Sequence, residues 1–384
     1  MRILVLGAGF GGLELSAALS EHLGADTDVV LIDRSDHFVF GFSKLDVLFG
    51  RRSASSVQHP YAAIAKPGVR FVRAELRSID PVAKLVQTDA GEFSGDVVVV
   101  ALGADLEPSA TPGLVEAGNE FYTNRGALES HDALAGFEGG HVVVGVTSTP
   151  FKCPPAPSET ALLLHDFLTG RGIRERSTIS LVMPLPVPIP PSPDASKVLV
   201  AAFEERGIAW HPGRLVTRLE PERRVAVFSD DAEMPYDLFL GVPKHVAPKV
   251  VLESGMAVDG WIPVNPVTLE TAFADVFAVG DVTSVGTPKA GVFSEGQAGV
   301  VAASIIARHR GDVPAAGYDG RGTCYLEFGG DLVGRVTVSF LAGTPPVGEL
   351  EGPSAAIAQD KVAFGTTRIR RWFDREWETV PPAA

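Results

Sequence analysis

Ile3-Leu-Val-Leu-Gly7-Ala-Gly9-Phe-Gly-Gly12 is the stretch that decides the fold, because an apolar run enters a glycine-rich loop and a helix of small residues follows. A second apolar run, Val29 to Ile32, ends on Asp33, about twenty residues after the last glycine. This order predicts a βαβ unit that binds a dinucleotide, rather than an ordinary glycine-rich turn. The glycines have separate roles: Gly7 allows the tight turn, Gly9 the approach of a pyrophosphate, and Gly12 the close packing of helix on strand.

The same unit predicts how the dinucleotide is held. The unpaired N–H groups and positive dipole end of the helix N-terminus favour the pyrophosphate. Asp33 is placed to accept hydrogen bonds from ribose hydroxyls. Arg34 begins an irregular segment suited to the loop that closes over the ribose.

Composition limits the possible partners and compartment. A chain of 384 residues exceeds one typical core, and its formal net charge of −14 argues against nucleic acid. The first strand leaves no room for a signal peptide, and no run of eighteen or more apolar residues is present, so the cytoplasm is the expected compartment. Cys153 and Cys324 are the only cysteines, which excludes a disulfide scaffold and a cysteine-built zinc site. No metal site is predicted.

The rest of the chain predicts an α/β protein in which one dinucleotide-binding domain is interrupted by another. Residues 1–108 form the first part of the first domain, and residues 109–242 form a second Rossmann-like domain. The chain returns to the first domain over 243–310, and residues 311–384 form a C-terminal domain. The proline run at 184–193 cannot be a helix or a central strand, so it is expected to be an extended loop.

Two further motifs resemble the FAD fingerprints of the two-dinucleotide-domain flavoprotein superfamily. They are Ala101-Leu-Gly103-Ala, after a buried strand, and Val279-Gly280-Asp281, at the end of another. The resemblance implies bound FAD, with Asp281 accepting from the ribityl chain. Lys289 would lie at the start of the following helix, whose N-terminus would point at the flavin ring and stabilise its reduced anion. The alternative is that Gly280-Asp281 is an ordinary turn.

The second α/β unit lacks the glycine loop that a nicotinamide dinucleotide requires. Gly145-Val-Thr-Ser-Thr-Pro150 has bulky side chains where the backbone must approach phosphate. The proline run also occupies the region where an adenosine would lie. Binding of NAD(P)H is therefore disfavoured, although a type-II-like NAD(P)H dehydrogenase stays open as an alternative.

Directly after this segment, the second α/β unit contains the cysteine motif Phe151-Lys-Cys153-Pro-Pro-Ala-Pro-Ser-Glu159. A cysteine before a helix start and beside a lysine is expected to have a lowered pKa and a reactive thiolate. This motif, with Gly322-Thr-Cys324, resembles sulfide:quinone oxidoreductases and flavocytochrome c sulfide dehydrogenase. The resemblance implies that the two cysteines form a redox disulfide beside the flavin, with Cys324 nearer the ring. Two unrelated buried cysteines are the alternative.

The remaining candidates are in the tail and among the acids and bases. Ile369, Trp372, Phe373 and Trp377 share one face of a helix predicted near 361–377. This face packs either on the body or a dimer mate, or forms a weak peripheral contact with the inner face of the membrane. Glu159 and His245 are the candidates for proton transfer.

These observations predict an FAD-dependent oxidoreductase. It would oxidise sulfide or a small sulfur compound through Cys153 and Cys324, and pass electrons to a quinone or another acceptor. Besides the NAD(P)H dehydrogenase, a flavin protein that only senses redox state, without turnover, is also compatible with the sequence.

Overall fold

The glycine loop joins a strand to a helix, as predicted, in a computed structural model that describes residues 1–313 and 317–377. Alternate strand residues enter two different core clusters, so both faces of the first sheet are covered. The elements up to residue 107 are β1 (Arg2–Leu6), α1 (Phe10–Leu23), β2 (Asp28–Asp33), β3 (His37–Phe38), α2 (Ser43–Leu48), β4 (His59–Pro60), β5 (Val69–Arg73), β6 (Leu76–Asp80), β7 (Leu85–Thr88), β8 (Gly91–Ser94), β9 (Val97–Val100) and β10 (Asp105–Glu107).

A second parallel sheet follows. Its elements are α3 (Leu114–Ala117), β11 (Asn119–Glu120), α4 (Asn124–Ala135), β12 (Gly140–Val146), α5 (Ala156–Gly170), β13 (Ser177–Met183), α6 (Pro193–Glu205), β14 (Ile208–Pro212), β15 (Val216–Glu220), β16 (Val225–Phe228), β17 (Glu233–Pro235) and β18 (Leu238–Val242). The sheet order is β11-β18-β12-β13-β14. The sequence predicts a hairpin from residues 214–219 and 223–228. Strands β15 and β16 confirm it, and β17 extends it to three strands.

The chain then returns to the first sheet. This part contains β19 (Lys244–Val246), α7 (Lys249–Glu253), β20 (Val276–Ala278) and α8 (Gly291–Arg310). Strand β20 pairs with β9, giving the parallel order β20-β9-β1-β2-β5. The predicted α/β class, with one Rossmann-like sheet interrupted by another, is confirmed; the domain boundaries stay a prediction.

The C-terminal part is an antiparallel sheet followed by a helix. Its elements are β21 (Arg321–Gly329), β22 (Leu332–Ser339), β23 (Val347–Ser354) and α9 (Ala355–Phe373). The predicted limits of the helix, 361–377, are wrong at both ends. Ser354 caps the N-terminus by accepting from the N–H of Ile357 at 3.3 Å, and Asp374 ends the helix in a left-handed conformation, with φ 54°.

Two other local predictions differ from the structure. The sequence predicts a short helix at about residues 59–66, but this segment forms the short strand β4 followed by a single 3₁₀ turn, Tyr61–Ala63. Helix α4 was not predicted; the Thr123 hydroxyl caps it by accepting from the N–H of Gly126 at 2.8 Å.

The aromatic face of α9 packs on the body of the protein. Ile369, Trp372 and Phe373 are buried, and the Trp372 Nε1–H donates to Glu14 Oε2 on α1 at 2.8 Å. Trp377 lies beyond the helix end. This face therefore packs on the body of the protein, and a peripheral membrane contact stays a prediction. Among the described residues, no helix combines the length and apolarity needed to span a bilayer.

Candidate functional site

The three loop glycines occupy positions that match their predicted roles. A Cβ on Gly7, where φ is +103°, would overlap the backbone of Ala101, and a Cβ on Gly12 would overlap the carbonyl oxygen of Gly7. Gly9 differs, because nothing lies within 4 Å of its Cβ position. The first two glycines are needed for packing, whereas Gly9 leaves space for a ligand at the start of α1.

A cavity of about 450 Å³ lies at this loop, and we call it the main cavity. Gly12 and Arg34 are not among its lining residues; Gly12 packs under the loop, and the Arg34 guanidinium pairs with Asp105 at 2.9 Å. The predicted residues that line the main cavity are Gly7, Gly9, Asp33, Ala101, Gly103, Cys153, Glu159, Gly280, Asp281, Lys289 and Cys324.

The two aspartates differ in what they still offer a ligand. Asp33 already accepts from the N–H of Ala8 at 2.7 Å and from the N–H of Ser35 at 2.8 Å. Asp281 Oδ1 is buried and has no hydrogen-bond partner among the described residues, and burial raises its pKa. A buried polar atom without a partner is costly. A ribityl hydroxyl of FAD would satisfy it, so these residues fit the predicted cofactor.

Three lysines surround Asp281. The Lys289 ammonium donates to the Asp281 carbonyl at 2.5 Å and lies 3.2 Å above the Trp261 ring. Lys152 donates to the Ala104 carbonyl at 2.9 Å. Lys44, on α2, donates to the Tyr122 carbonyl at 2.6 Å. Burial lowers the pKa of Lys44 and of Lys289 to about 8. The cavity is thus a buried region with positive charge available for an anionic ligand.

Both cysteines are free thiols of intermediate exposure, and both border two cavities. The second is an apolar cavity of about 370 Å³, the proline cavity, whose wall includes Pro188, Ile189 and Pro190 of the predicted extended loop. Cys153 has φ 48°, a conformation that non-glycine residues adopt rarely. Strain of this kind at a reactive residue favours a functional role for it.

The lowered pKa expected for Cys153 is wrong in this structure. Burial, reinforced by Glu159 and Cys324, raises the pKa of its thiol well above the ordinary value, and burial raises the pKa of Cys324 to about 12. Two local details explain the difference. Helix α5 begins only at Ala156, and the Lys152 ammonium is bonded to a carbonyl.

Glu159 lies beside an ion cluster that consists of Asp46, Arg51, Glu327 and Lys361. Glu327 binds Arg51 through two hydrogen bonds of 2.5 and 3.0 Å and also pairs with Lys361; Arg51 pairs with Asp46 at 2.8 Å. Glu159 accepts only the backbone N–H of Glu327, at 3.0 Å. Burial raises the pKa of Glu159 to about 7. It can therefore exchange a proton near neutral pH.

His245 is poorly suited to the predicted role in proton transfer. It is absent from the residues that line the main cavity, and its Nδ1 lies 2.9 Å from the Pro243 carbonyl, to which it donates. Burial, with the charge of Lys152, lowers the pKa of His245 to about 3. A base this weak accepts few protons at neutral pH.

The second glycine motif is built for packing. A Cβ on Gly145 would lie 2.5 Å from Cζ of Phe239. The N–H and the hydroxyl of Thr147 both donate to the Val242 carbonyl, at 3.0 and 3.1 Å. These groups are consequently occupied within the fold, which agrees with the prediction that this loop does not bind a phosphate.

Sequence reasoning missed an aromatic wall of the main cavity. It consists of Phe42, Tyr325 and Phe364, with Phe364 lying 5.5 Å from Tyr325 and 6.3 Å from Phe42. Lys361 lies beside this wall, 5.1 Å from the Phe42 ring. The position of Lys361, three residues before Phe364 on the predicted tail helix, was the one sequence feature that could have indicated this wall.

The comparisons with known proteins agree with this geometry. Residues 1–303 match the family described as pyridine nucleotide-disulphide oxidoreductase. The sulfide-quinone reductase of Aquifex aeolicus is 29% identical over 357 residues, covering 86% of this chain and 81% of that protein. The mitochondrial sulfide:quinone oxidoreductase of Mus musculus is 25% identical over 342 residues, covering 85% and 75% respectively.

The fold comparison extends over nearly the whole chain. The X-ray structure of the A. aeolicus sulfide:quinone oxidoreductase matches with a TM-score of 0.85 and 23% identity, over 97% of this chain and 91% of that chain. The chain belongs to the pyridine nucleotide-disulphide oxidoreductase family, and within it is a flavin-dependent oxidoreductase similar to the sulfide:quinone oxidoreductases.

Proposed function

We propose that the protein oxidises sulfide or a small sulfur compound through Cys153 and Cys324, with FAD as the electron carrier and a quinone or another acceptor at the end. The observation that carries this proposal is the position of both cysteines on the wall of the main cavity, where Asp281 also lies. The printed functions of the A. aeolicus and mouse relatives support it.

The cysteines would work as a disulfide and dithiol couple. A hydrosulfide ion attacks Cys153 Sγ in the disulfide, which forms a Cys153 persulfide and breaks the bond to Cys324, released as a thiolate. Transfer of the outer sulfur to the thiolate of a small external thiol leaves Cys153 and Cys324 reduced, and each takes up a proton to become a thiol. Closing their bond again releases two electrons and two protons. FAD bound in the main cavity would take the electron pair.

Glu159 supplies a place for one of the released protons. It lies in the main cavity beside both cysteines, whose pKa values it affects. A carboxyl group with a pKa of about 7 can accept and release a proton without a large barrier. The neighbouring ion cluster borders a further cavity of about 660 Å³. Its cations, Arg51 and Lys361, stabilise the Glu159 carboxylate when the proton leaves.

The acceptor would use the aromatic wall. Phe42, Tyr325 and Phe364 present rings to the main cavity, and planar rings such as quinones stack on aromatic side chains. Lys361, which pairs with Glu327, lies at the same wall. The aromatic wall suits a quinone, and the packing of Phe239 against Gly145 in strand β12 disfavours NADH.

An anaerobic titration with sulfide tests the proposal. We expect sulfide to bleach the flavin absorption of the purified enzyme, and Cys153→Ser or Cys324→Ser to abolish bleaching while the bound flavin stays. Thr169→Ser, near the far end of α5, is the matched control and should behave as the parent. A flavin that responds to NADH but not to sulfide would refute the proposal in favour of a dehydrogenase.

A further inference from the structure

The hydroxyl of Tyr122 is a buried hydrogen-bonding group without a partner among the described residues. Tyr122 lines the main cavity and is only 7% exposed. Its hydroxyl oxygen is shielded from solvent and has no partner among the described residues. Leaving such a group without a partner costs about 1–3 kcal/mol. A group kept at that cost in a cavity wall indicates a ligand that completes it.

The rest of Tyr122 is held firmly. Its backbone N–H donates to the Glu120 carboxylate at 2.7 Å, and its carbonyl accepts from the Lys44 ammonium at 2.6 Å. Its ring meets the His245 ring edge to face, with centroids 5.3 Å apart. The backbone and the ring of Tyr122 are therefore held in place, while its buried hydroxyl has no partner among the described residues.

The groups around the hydroxyl define what it can bind. Burial, with the charges of Cys153 and Glu159, raises the pKa of Tyr122 well above its ordinary value. The phenol therefore stays protonated and can donate. Tyr122, Lys44, Cys153 and Glu159 all line the main cavity, and the charges of Cys153 and Glu159 act on the phenol.

The surroundings of Cys153 disfavour a negative charge on its sulfur. Burial raises the pKa of its thiol, and Glu159, Cys324 and Asp281 raise it further. The nearby cation that the charge of Cys153 does affect is Lys44, whose pKa of about 8 leaves it mainly charged at neutral pH. A sulfur anion formed at Cys153 needs a donor and a cation, and Tyr122 with Lys44 can provide both.

We infer that the Tyr122 hydroxyl and the Lys44 ammonium together bind the sulfur anion at Cys153. This site, which rests on the proposed function, would receive the hydrosulfide ion and then hold the persulfide anion. As hydrosulfide adds to Cys153 Sγ and the bond to Cys324 breaks, the electron pair leaves on Cys324 and the new negative sulfur stays against Tyr122. The persulfide proton passes to Glu159, the free carboxyl in the same wall.

Alkylation of Cys153 tests the site without using flavin turnover. In a reduced Cys324→Ser background, the rate of reaction with iodoacetamide at neutral pH reports the thiolate population of Cys153. We expect Tyr122→Phe and Lys44→Met each to slow alkylation about tenfold, as the loss of one hydrogen bond to a charged group predicts. Lys44→Arg should restore most of the rate.

Tyr236→Phe is the matched control, because Tyr236 also carries a buried hydroxyl without a partner but lies in a different core cluster. In this variant, Cys153 should react with iodoacetamide at the same rate as in the Cys324→Ser background. Unchanged flavin absorption and melting temperature will show that each variant is folded. Parent-like alkylation of both Tyr122→Phe and Lys44→Met would overturn the inference.

A second measurement separates this inference from the proposed function. With Cys324 restored, Tyr122→Phe should raise the sulfide concentration that half-saturates flavin reduction about tenfold, more than it changes the maximum rate. If sulfide fails to reduce the flavin of the parent enzyme, the proposed function is refuted, and the alkylation rates still decide whether Tyr122 and Lys44 stabilise an anion at Cys153.

Discussion

Both parallel sheets carry a strand, a loop and a helix, but the glycines in them have different surroundings. At Gly9, in the first loop, nothing lies within 4 Å of the Cβ position, whereas Gly145, inside strand β12, has the ring of Phe239 at its Cβ position. The two glycines therefore have different roles in this protein. Gly9 leaves space for a ligand, and Gly145 leaves space for the side chain of Phe239.

The helices that follow the two loops differ in the same way. Helix α1 begins at Phe10, directly after Gly9, and α5 begins at Ala156, after a longer segment that contains Cys153. Each helix buries a glutamate in its first turns. Glu14 accepts from Arg371 and Trp372, whereas Glu159 accepts a single backbone N–H. The first helix is tied into the structure, and the second keeps a carboxyl group for chemistry.

The largest effect should come from adding a methyl group to either glycine. Gly12→Ala places a Cβ on the carbonyl oxygen of Gly7, so we expect loss of bound flavin and of most soluble protein. Gly145→Ala should cost about 1–3 kcal/mol of unfolding free energy but leave the flavin bound. Flavin content and urea unfolding measure both. Equal loss of flavin in the two variants would break the comparison.

Replacing Glu159 should change how stability depends on pH. Its pKa of about 7 in the folded state lies above its ordinary 4.5, so the folded protein binds the proton more tightly than the unfolded chain. This contribution to stability is complete below pH 4.5 and is lost as pH rises to about 7, by up to about 3 kcal/mol. Glu159→Gln should remove that loss, as urea unfolding across this range will show. An unchanged pH profile would mean that Glu159 does not titrate there.

Replacing Glu14 should have a smaller effect, and it should lower the free energy of unfolding at neutral pH. Glu14→Gln weakens the hydrogen bonds with Arg371 and Trp372. Because the Arg371 side chain is 36% exposed, we expect a cost of about 2 kcal/mol rather than the full cost of breaking a buried pair. Urea unfolding at neutral pH measures it. If Glu14→Gln stabilised the protein, the structural role given to this glutamate would be wrong.

Local patterns predicted the features that a short stretch of chain determines. The positions of β1, α1 and β2 and the need for glycine at residues 7 and 12 follow from residues within one βαβ unit. The burial of the α9 face required tertiary information, because the same periodicity suits a membrane surface and the face of α1.

The chemistry of the site depended on contacts between distant segments. The sequence placed Lys152 beside Cys153, but the carbonyl of Ala104 occupies the ammonium. Lys44 and Tyr122 meet through a hydrogen bond between residues 78 positions apart. No local pattern marks such a pair, because each residue alone is typical of a loop or a short helix.

The return of the chain to its first sheet has a consequence for synthesis. Strand β20, at residues 276–278, completes a sheet that begins at residue 2, and Trp372 bonds to Glu14 across 358 positions. On the ribosome, the nascent N-terminal segment therefore waits, without its edge strand and the covering helix, while most of the chain is made. The βαβ unit that carries the glycine loop is thus among the first parts to be made and among the last to be completed.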